Sequence, residues 1–244
     1  MDLWLIGMGT GNPEHVTLEA RRALREASLV LIPRKGAGKD DLADLRHTIL
    51  RACDCTARVV EFDMPVRDDA LPYADRVDRW HDAIAVIWAD AIAQAQLTGP
   101  VALLVWGDPG LYDSTLRIAD RLTPRPRVRV VAGITALQAL TAAHAIPFNT
   151  VNGAVTVTTG RRLRVHGWPV GADTIVIMLD GDCGFRTLDP DGLHIWWGAY
   201  LGMAEQVLVA GPLGQVGDRI VATRAAERAR HGWIMDTYLL RRGG

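Results

Sequence analysis

Short apolar runs alternate with stretches of helical period from the N-terminus to Val131, and few folds accommodate that alternation. Strands are expected at residues 3–6, 29–32, 58–62, 101–106 and 128–131, with helices near 14–27, 40–52, 73–97 and 113–122. Strand followed by helix, repeated, implies a parallel sheet flanked by helices. The Pro124-Arg125-Pro126 breaker ends the last of these helices, and the fifth strand runs toward Gly133, so a first α/β unit is expected over residues 1–132. Beyond it the pattern changes. A helix at 135–144 precedes closely spaced strands at 154–159, 174–179, 193–199, 206–210 and 233–239, with one further helix at 218–230. This predicts a second α/β unit, 133–244, built on a mixed or largely antiparallel sheet. With no repeat and no disordered linker between them, the two units are expected to pack with an active-site cleft between them.

Composition narrows the function. With 49% apolar and 23% charged residues in 244, the chain reads as soluble and globular. Its longest apolar runs, 101–106 and 175–179, are strand-length and far short of the roughly 18 residues of a membrane span. The N-terminus lacks the basic start and small-residue cleavage site of a signal peptide, so residence in the cytoplasm is expected. A net charge of −1 argues against a nucleic-acid partner. Only Lys35 and Lys39 among 27 basic residues are lysines. The arginines suit carboxylate or phosphate recognition, although genomic base composition would produce the same bias. Cys53, Cys55 and Cys183 are odd in number, and the first two lie too close to bridge, so free thiols and no metal site are expected.

Three turns stand at the carboxyl ends of predicted strands, where open α/β sheets bind ligands. Gly7-Met8-Gly9-Thr10-Gly11-Asn12-Pro13 follows the first strand. A dinucleotide fingerprint would need glycine at position 12 and an acidic residue after the second strand, where Pro33-Arg34-Lys35 stands, so that reading fails twice. A tight strand-to-helix connection accounts for the glycines equally well. The loop from Trp106 through Gly107-Asp108-Pro109-Gly110 to Ser114 carries more polar groups than a turn needs, and Gly133-Ile134-Thr135-Ala136 adds another bend and a hydroxyl.

In this order and spacing, the Gly-x-Gly-x-Gly-Asn-Pro turn, the Gly-Asp-Pro-x-x-Tyr-x-Ser loop and the Gly-Ile-Thr-Ala turn resemble the tetrapyrrole methylases over essentially the whole chain. The segments WGDPGLYDSTLR, TTGRRL, MLDG, WGAYL and GWIMDTYLLRR resemble the branch of that family that acts on precorrin-5. The chain departs from the wider family at Ala132-Gly133, where Pro-Gly is common, and at Thr135-Ala136, where Ser or Thr pairs are frequent.

The resemblance implies a fold of two α/β domains and methylation of precorrin-5 at C1 by S-adenosylmethionine, with S-adenosylhomocysteine and acetate released on the aerobic route to cobalamin. It implies cofactor contacts from Gly107, Asp108, Pro109, Leu111, Tyr112, Thr135, Ala136, Met178 and Leu179, with Ala210, Gly211, Leu239 and Leu240 on the adenosine side. A polycarboxylate substrate calls for arginines. Arg161 and Arg162 lead, followed by Arg117 and Arg241. For the hydrolytic step Asp108, Tyr112, Asp113 and His144 are candidates, with Asp108 equally able to fix its own turn. Eight tryptophans, Trp106, Trp196 and Trp197 among them, could wall a flat macrocycle or fill the core. A homodimer is expected from the resemblance. Methylation of another tetrapyrrole position, of RNA or of protein, a non-catalytic tetrapyrrole carrier, and an NADP enzyme using Arg34 and Lys35 remain alternatives.

Overall fold

The computed structural model describes residues 1–34, 41–68, 70 and 72–243. Lys35 and Lys39, named above, and position 40, where the second helix is expected to begin, lie outside the described residues. Two compact units divide the chain, Met1–Thr135 and Ala136–Gly244.

In the first unit, strands β1 (Asp2–Gly7), β2 (Leu29–Arg34), β3 (Arg58–Asp63), β4 (Val101–Val105) and β5 (Arg127–Val131) form an all-parallel sheet in the order β3-β2-β4-β1-β5. Alternation along each strand sends Ile6, Val30, Ile32, Ala102 and Leu104 to one face, against α1 (Leu18–Glu26) and α2 (Asp41–Ala52). Leu3, Leu5, Leu29, Leu31 and Leu103 go to the other, against α3 (Tyr73–Ala95) and α4 (Thr115–Ala119). Burial on both faces explains why β4 reads as an unbroken apolar run. The first helix begins later than its period suggests. Pro13–His15 is a short 3₁₀ turn, and Thr17 caps α1 by accepting from the Ala20 amide at 3.1 Å.

In the second unit, β6 (Val155–Thr159), β7 (Thr174–Met178), β8 (Leu193–Ala199), β9 (Val207–Pro212) and β10 (Asp236–Arg242) form a mixed sheet ordered β6-β7-β10-β8-β9. Only β6 and β7 are parallel. Ile175, Ile177, Ile195, Trp197, Tyr238 and Leu240 build its core with α7 (Leu213–His231), and α5 (Ala136–Ala143) opens the unit. Two expectations need correction. A helix, α6 (Gly160–His166), occupies a segment expected to hold none, and β10 lies three residues beyond its predicted span. Seven residues, three of them arginine, show no apolar period. The helix is instead set by the Thr159 cap and by packing on Leu163, which is fully buried.

The three thiols are free, as expected, with Cys53 and Cys183 buried. Among the described residues no helix is long and apolar enough to cross a membrane.

Three partly or fully buried imidazoles make stability depend on pH. Burial pushes His81, His144 and His194 below the ordinary imidazole value, reinforced at His81 by Arg121 and Arg117 and at His194 by Arg241. Their folded forms favour the neutral ring, so their contribution is complete above the unfolded value of about 6.5 and is lost as pH falls through the folded values. The melting temperature is expected to hold from pH 8 to 7 and to decline below about 6.5, with a shallower decline in His81→Gln. A Tm indifferent to pH between 7.5 and 5.5 would contradict this assignment.

Candidate active site

Three strand ends of the first unit meet backbone to backbone. Gly9 and Gly107 form an isolated antiparallel bridge, with the Gly107 amide donating to the Gly9 carbonyl at 2.8 Å. A Cβ on Gly7 would stand 2.6 Å from the Gly133 Cα, and one on Gly133 would stand 2.0 Å from the Gly107 carbonyl oxygen. Thus the turns after β1, β4 and β5 converge, as their positions in the sequence suggest. Most of the glycines serve packing. Gly107 differs: at φ 64° it takes a conformation that favours glycine, yet a Cβ there would meet nothing nearer than Thr135 Cα at 3.7 Å. Gly107 is itself buried, and that Cβ would sit in ordinary contact with Thr135 Cα and with the Ile134 carbonyl oxygen at 3.9 Å, so glycine is needed there for the backbone conformation and not to avoid a clash.

Asp108 locks this arrangement. One carboxylate oxygen accepts the Gly110 amide at 2.7 Å and the other accepts the Gly133 amide at 2.9 Å. The residue expected to lead as a base therefore ties the β4 loop to the β5 loop. Asp113 is similarly engaged, accepting the Thr115 amide at 2.6 Å and the Thr115 hydroxyl on the same oxygen. Between them lies Tyr112, 43% exposed and left-handed at φ 49°. Arg117 donates to the Asp113 carbonyl at 2.8 Å and, with Gly110, Leu111, Tyr112, Asp113 and Ser114, lines a shallow depression. Pro109 is buried in the loop, and Thr135, mostly buried, faces Gly107 through its backbone.

In the second unit, β7 ends at Met178, which is half-buried, and Leu179, which is 66% exposed at φ 52°. A non-glycine residue in that region is strained and needs support. Asp180 supplies it. Its buried carboxylate pairs with Arg164 at 2.7 Å and accepts the Tyr238 hydroxyl at 2.7 Å and the Asp182 and Gly184 amides. Beyond it, Arg224 donates to the Asp180 carbonyl at 3.0 Å and pairs with Asp236, which also accepts from Trp197 Nε1. Burial raises Asp236 above its ordinary value against the pull of Arg224, and burial and the Asp180 charge hold the Tyr238 phenol protonated. Sequence reasoning missed Asp180 as a hub. The MLDG segment carried the signal, since a carboxyl directly after a strand end must be solvated or paired.

Arg161 and Arg162 are exposed in the first turn of α6, where cations oppose the helix dipole. Ala136 opens α5 in this unit and is half-buried. Ala210 and Gly211 lie on β9, an end strand of its sheet, with Ala210 exposed.

Burial and bonding give four further candidates structural roles of their own. Leu239 and Leu240 are fully buried on the central strand β10, bonded to β7 and β8 on either side, and act as core. Arg241 donates to Thr174 Oγ1 at 3.0 Å and to the Pro147 and Phe148 carbonyls, bracing its own unit. His144 Nε2 donates to the Trp197 carbonyl at 3.0 Å, which spends that nitrogen on structure. Trp197 is likewise core, whereas Trp196 is half-buried against His194 with Arg241 over its ring, and Trp106 packs on the first-unit core.

The family model for tetrapyrrole (corrin/porphyrin) methylases matches residues 2–217. A Sinorhizobium protein named precorrin-6A synthase [deacetylating] is 46% identical over 98% of this chain and 94% of its own length. Among solved structures, a cobalamin-synthesis-related protein (CobF) from Corynebacterium diphtheriae superposes with a TM-score of 0.86 at 37% identity, covering all of both chains. The uroporphyrin-III C-methyltransferase of Thermus thermophilus, solved with S-adenosylhomocysteine, shares the fold at a TM-score of 0.61 and 19% identity, covering 99% of this chain and 97% of its own.

Proposed function

This chain belongs to the tetrapyrrole (corrin/porphyrin) methylase family, and we propose that it transfers a methyl group from S-adenosylmethionine to C1 of precorrin-5. Acetate is released, and the product is precorrin-6A, after which the Sinorhizobium relative is named. The reaction belongs to aerobic cobalamin biosynthesis. A cytoplasmic homodimer with no nucleic-acid or membrane partner goes with this reading, and the family sets aside NADP chemistry through Arg34.

The observation that carries the proposal is the convergence of the three glycine turns at the carboxyl ends of β1, β4 and β5, in a chain 46% identical to the Sinorhizobium relative. When bound there, S-adenosylmethionine supplies an electrophilic methyl on a sulfonium, and transfer to a carbon nucleophile needs alignment and exclusion of water more than acid or base. Gly107, Pro109, Leu111, Tyr112 and Thr135 are the proposed cofactor contacts in the first unit. Ala136, Met178, Leu179, Ala210 and Gly211 are those in the second. Asp108 acts as the brace that holds two of these turns together. Loss of acetate is different, because water must add to the acetyl carbon, a base must take its proton and a donor must meet the developing oxyanion. Tyr112 is proposed for that end of the chemistry, with Asp113 fixing its loop, and Arg117, Arg161 and Arg162 for the substrate carboxylates.

Gly107→Ala tests the cofactor site. The added methyl has room, so stability is expected to fall only by the roughly 1–2 kcal/mol of a left-handed alanine, while affinity for S-adenosylhomocysteine by calorimetry drops more than about tenfold, equivalent to about 1.4 kcal/mol. Undiminished affinity in the folded variant would remove this loop from the site.

A further inference from the structure

The parallel sheet of the first unit splits at its carboxyl end. Strand β2 stays paired with β3 as far as Arg34↔Asp63, and β4 stays with β1 as far as Gly7↔Val105, but β2 and β4 pair only from Leu29↔Val101 to Leu31↔Leu103. Pro33, which has no N–H to give, stands just past that last pair. The chain leaves β2 toward β3 on one side and β4 toward β5 on the other, so the split is a place where connections diverge. Ligands of open α/β sheets bind in such crevices.

Arg46 of α2 reaches into this gap. Its Nε donates to the Leu104 carbonyl at 3.3 Å, one residue beyond the last β2–β4 pair, and its Nη1 donates to the Leu42 carbonyl at 2.9 Å. Both acceptors are neutral backbone, and among the described residues Arg46 makes no ion pair. The opposite charge that acts on it is Asp113, whose Oδ1 is already bound to Thr115. Loss of hydration pushes the guanidinium down to about 10, with Asp113 opposing. A chain that only needed to cap the Leu104 carbonyl could do so with a neutral donor. A poorly hydrated cation with no ion pair among the described residues, at the ligand end of a sheet, is what an anionic ligand group would complete.

We propose that Arg46 is a substrate-binding residue that receives a peripheral carboxylate of the tetrapyrrole at the β2–β4 split. The inference deepens the functional reading above and rests on it for the identity of the substrate. A carboxylate is also carried by the methionine part of the cofactor, so the test measures both.

In Arg46→Gln, which keeps a donor for Leu104, KM for precorrin-5 is expected to rise about 10- to 100-fold. The rate constant at saturation should change less than about threefold, because binding rather than the transition state is affected. Affinity for S-adenosylhomocysteine should stay within about twofold of the unsubstituted protein, a change small beside the tenfold that 1.4 kcal/mol represents. Arg46→Lys, with charge but no planar fork, should fall between the two. An unchanged KM in folded Arg46→Gln overturns the proposal, and so does a loss that falls on S-adenosylhomocysteine instead. Fluorescence titration with uroporphyrin, a stable tetrapyrrole polycarboxylate, gives a second readout that needs no turnover. If the unsubstituted enzyme fails to convert precorrin-5 but Arg46→Gln still weakens uroporphyrin binding, the reaction assigned above is wrong and the carboxylate site stands. If turnover proceeds and uroporphyrin binds both proteins equally, the reaction stands and the role of Arg46 is wrong.

Discussion

Gly133→Ala should cost the first unit about 3 kcal/mol or more, the upper end of what overpacking does. The added methyl would lie 2.0 Å from the Gly107 carbonyl oxygen and 2.8 Å from the Gly7 Cα. Both obstacles are backbone, held by the Gly9–Gly107 bridge and by β1 pairing on each side, so no rotamer change relieves the clash. The turn would have to withdraw, breaking the Gly133 amide bond to Asp108 and dispersing the three strand ends together. Against a total of roughly 5–15 kcal/mol for a domain, that is a large fraction. Urea titration followed by tryptophan fluorescence measures it, and a midpoint shift worth less than about 1 kcal/mol would contradict the packing described. The contrast with Gly107→Ala is the informative part: at Gly133 an added methyl meets backbone at 2.0 Å, whereas at Gly107 it meets nothing nearer than 3.7 Å.

The second large effect is expected at Asp180. Replacing it with alanine leaves the buried Tyr238 hydroxyl, the Gly184 amide and one face of Arg164 without their acceptor. Breaking a buried pair in this way costs about 3–5 kcal/mol. Asp180→Asn keeps the shape and part of the hydrogen bonding and should cost less. Because Leu179 is held left-handed beside this hub, the alanine variant should also bind S-adenosylhomocysteine more weakly. Stability within about 1 kcal/mol of the unsubstituted protein would mean that the network is not an anchor, since surface substitutions away from such features cost no more than that.

The sheets were legible because burial on both faces of β4 and alternation in β8 leave a hydropathy pattern that survives without a structure. The three converging turns were legible for a related reason. Strand ends that must approach closely, or admit a ligand, need glycine, and glycine is visible. What sequence could not show is how distant groups use one another. Asp108 lies 25 residues from the amide it accepts, and that bond turns a candidate base into a brace. Arg241 reads as a free cation until the Pro147 and Phe148 carbonyls are seen beneath it. Leu239 and Leu240 stand at the centre of a sheet with their side chains buried, a place that the sequence alone does not reveal. Helix α6 was hidden because its stability comes from a cap and its neighbours. Arg46 was hidden because nothing local marks it, although Pro33 marks the strand split it enters.

The reaction itself is tested most directly by anaerobic incubation with precorrin-5 and methyl-labelled S-adenosylmethionine, following label in the macrocycle and free acetate by mass spectrometry. Incorporation of one labelled methyl per macrocycle with equimolar acetate is the predicted result. Binding of S-adenosylhomocysteine with neither product formed would contradict the assigned substrate while leaving the family intact.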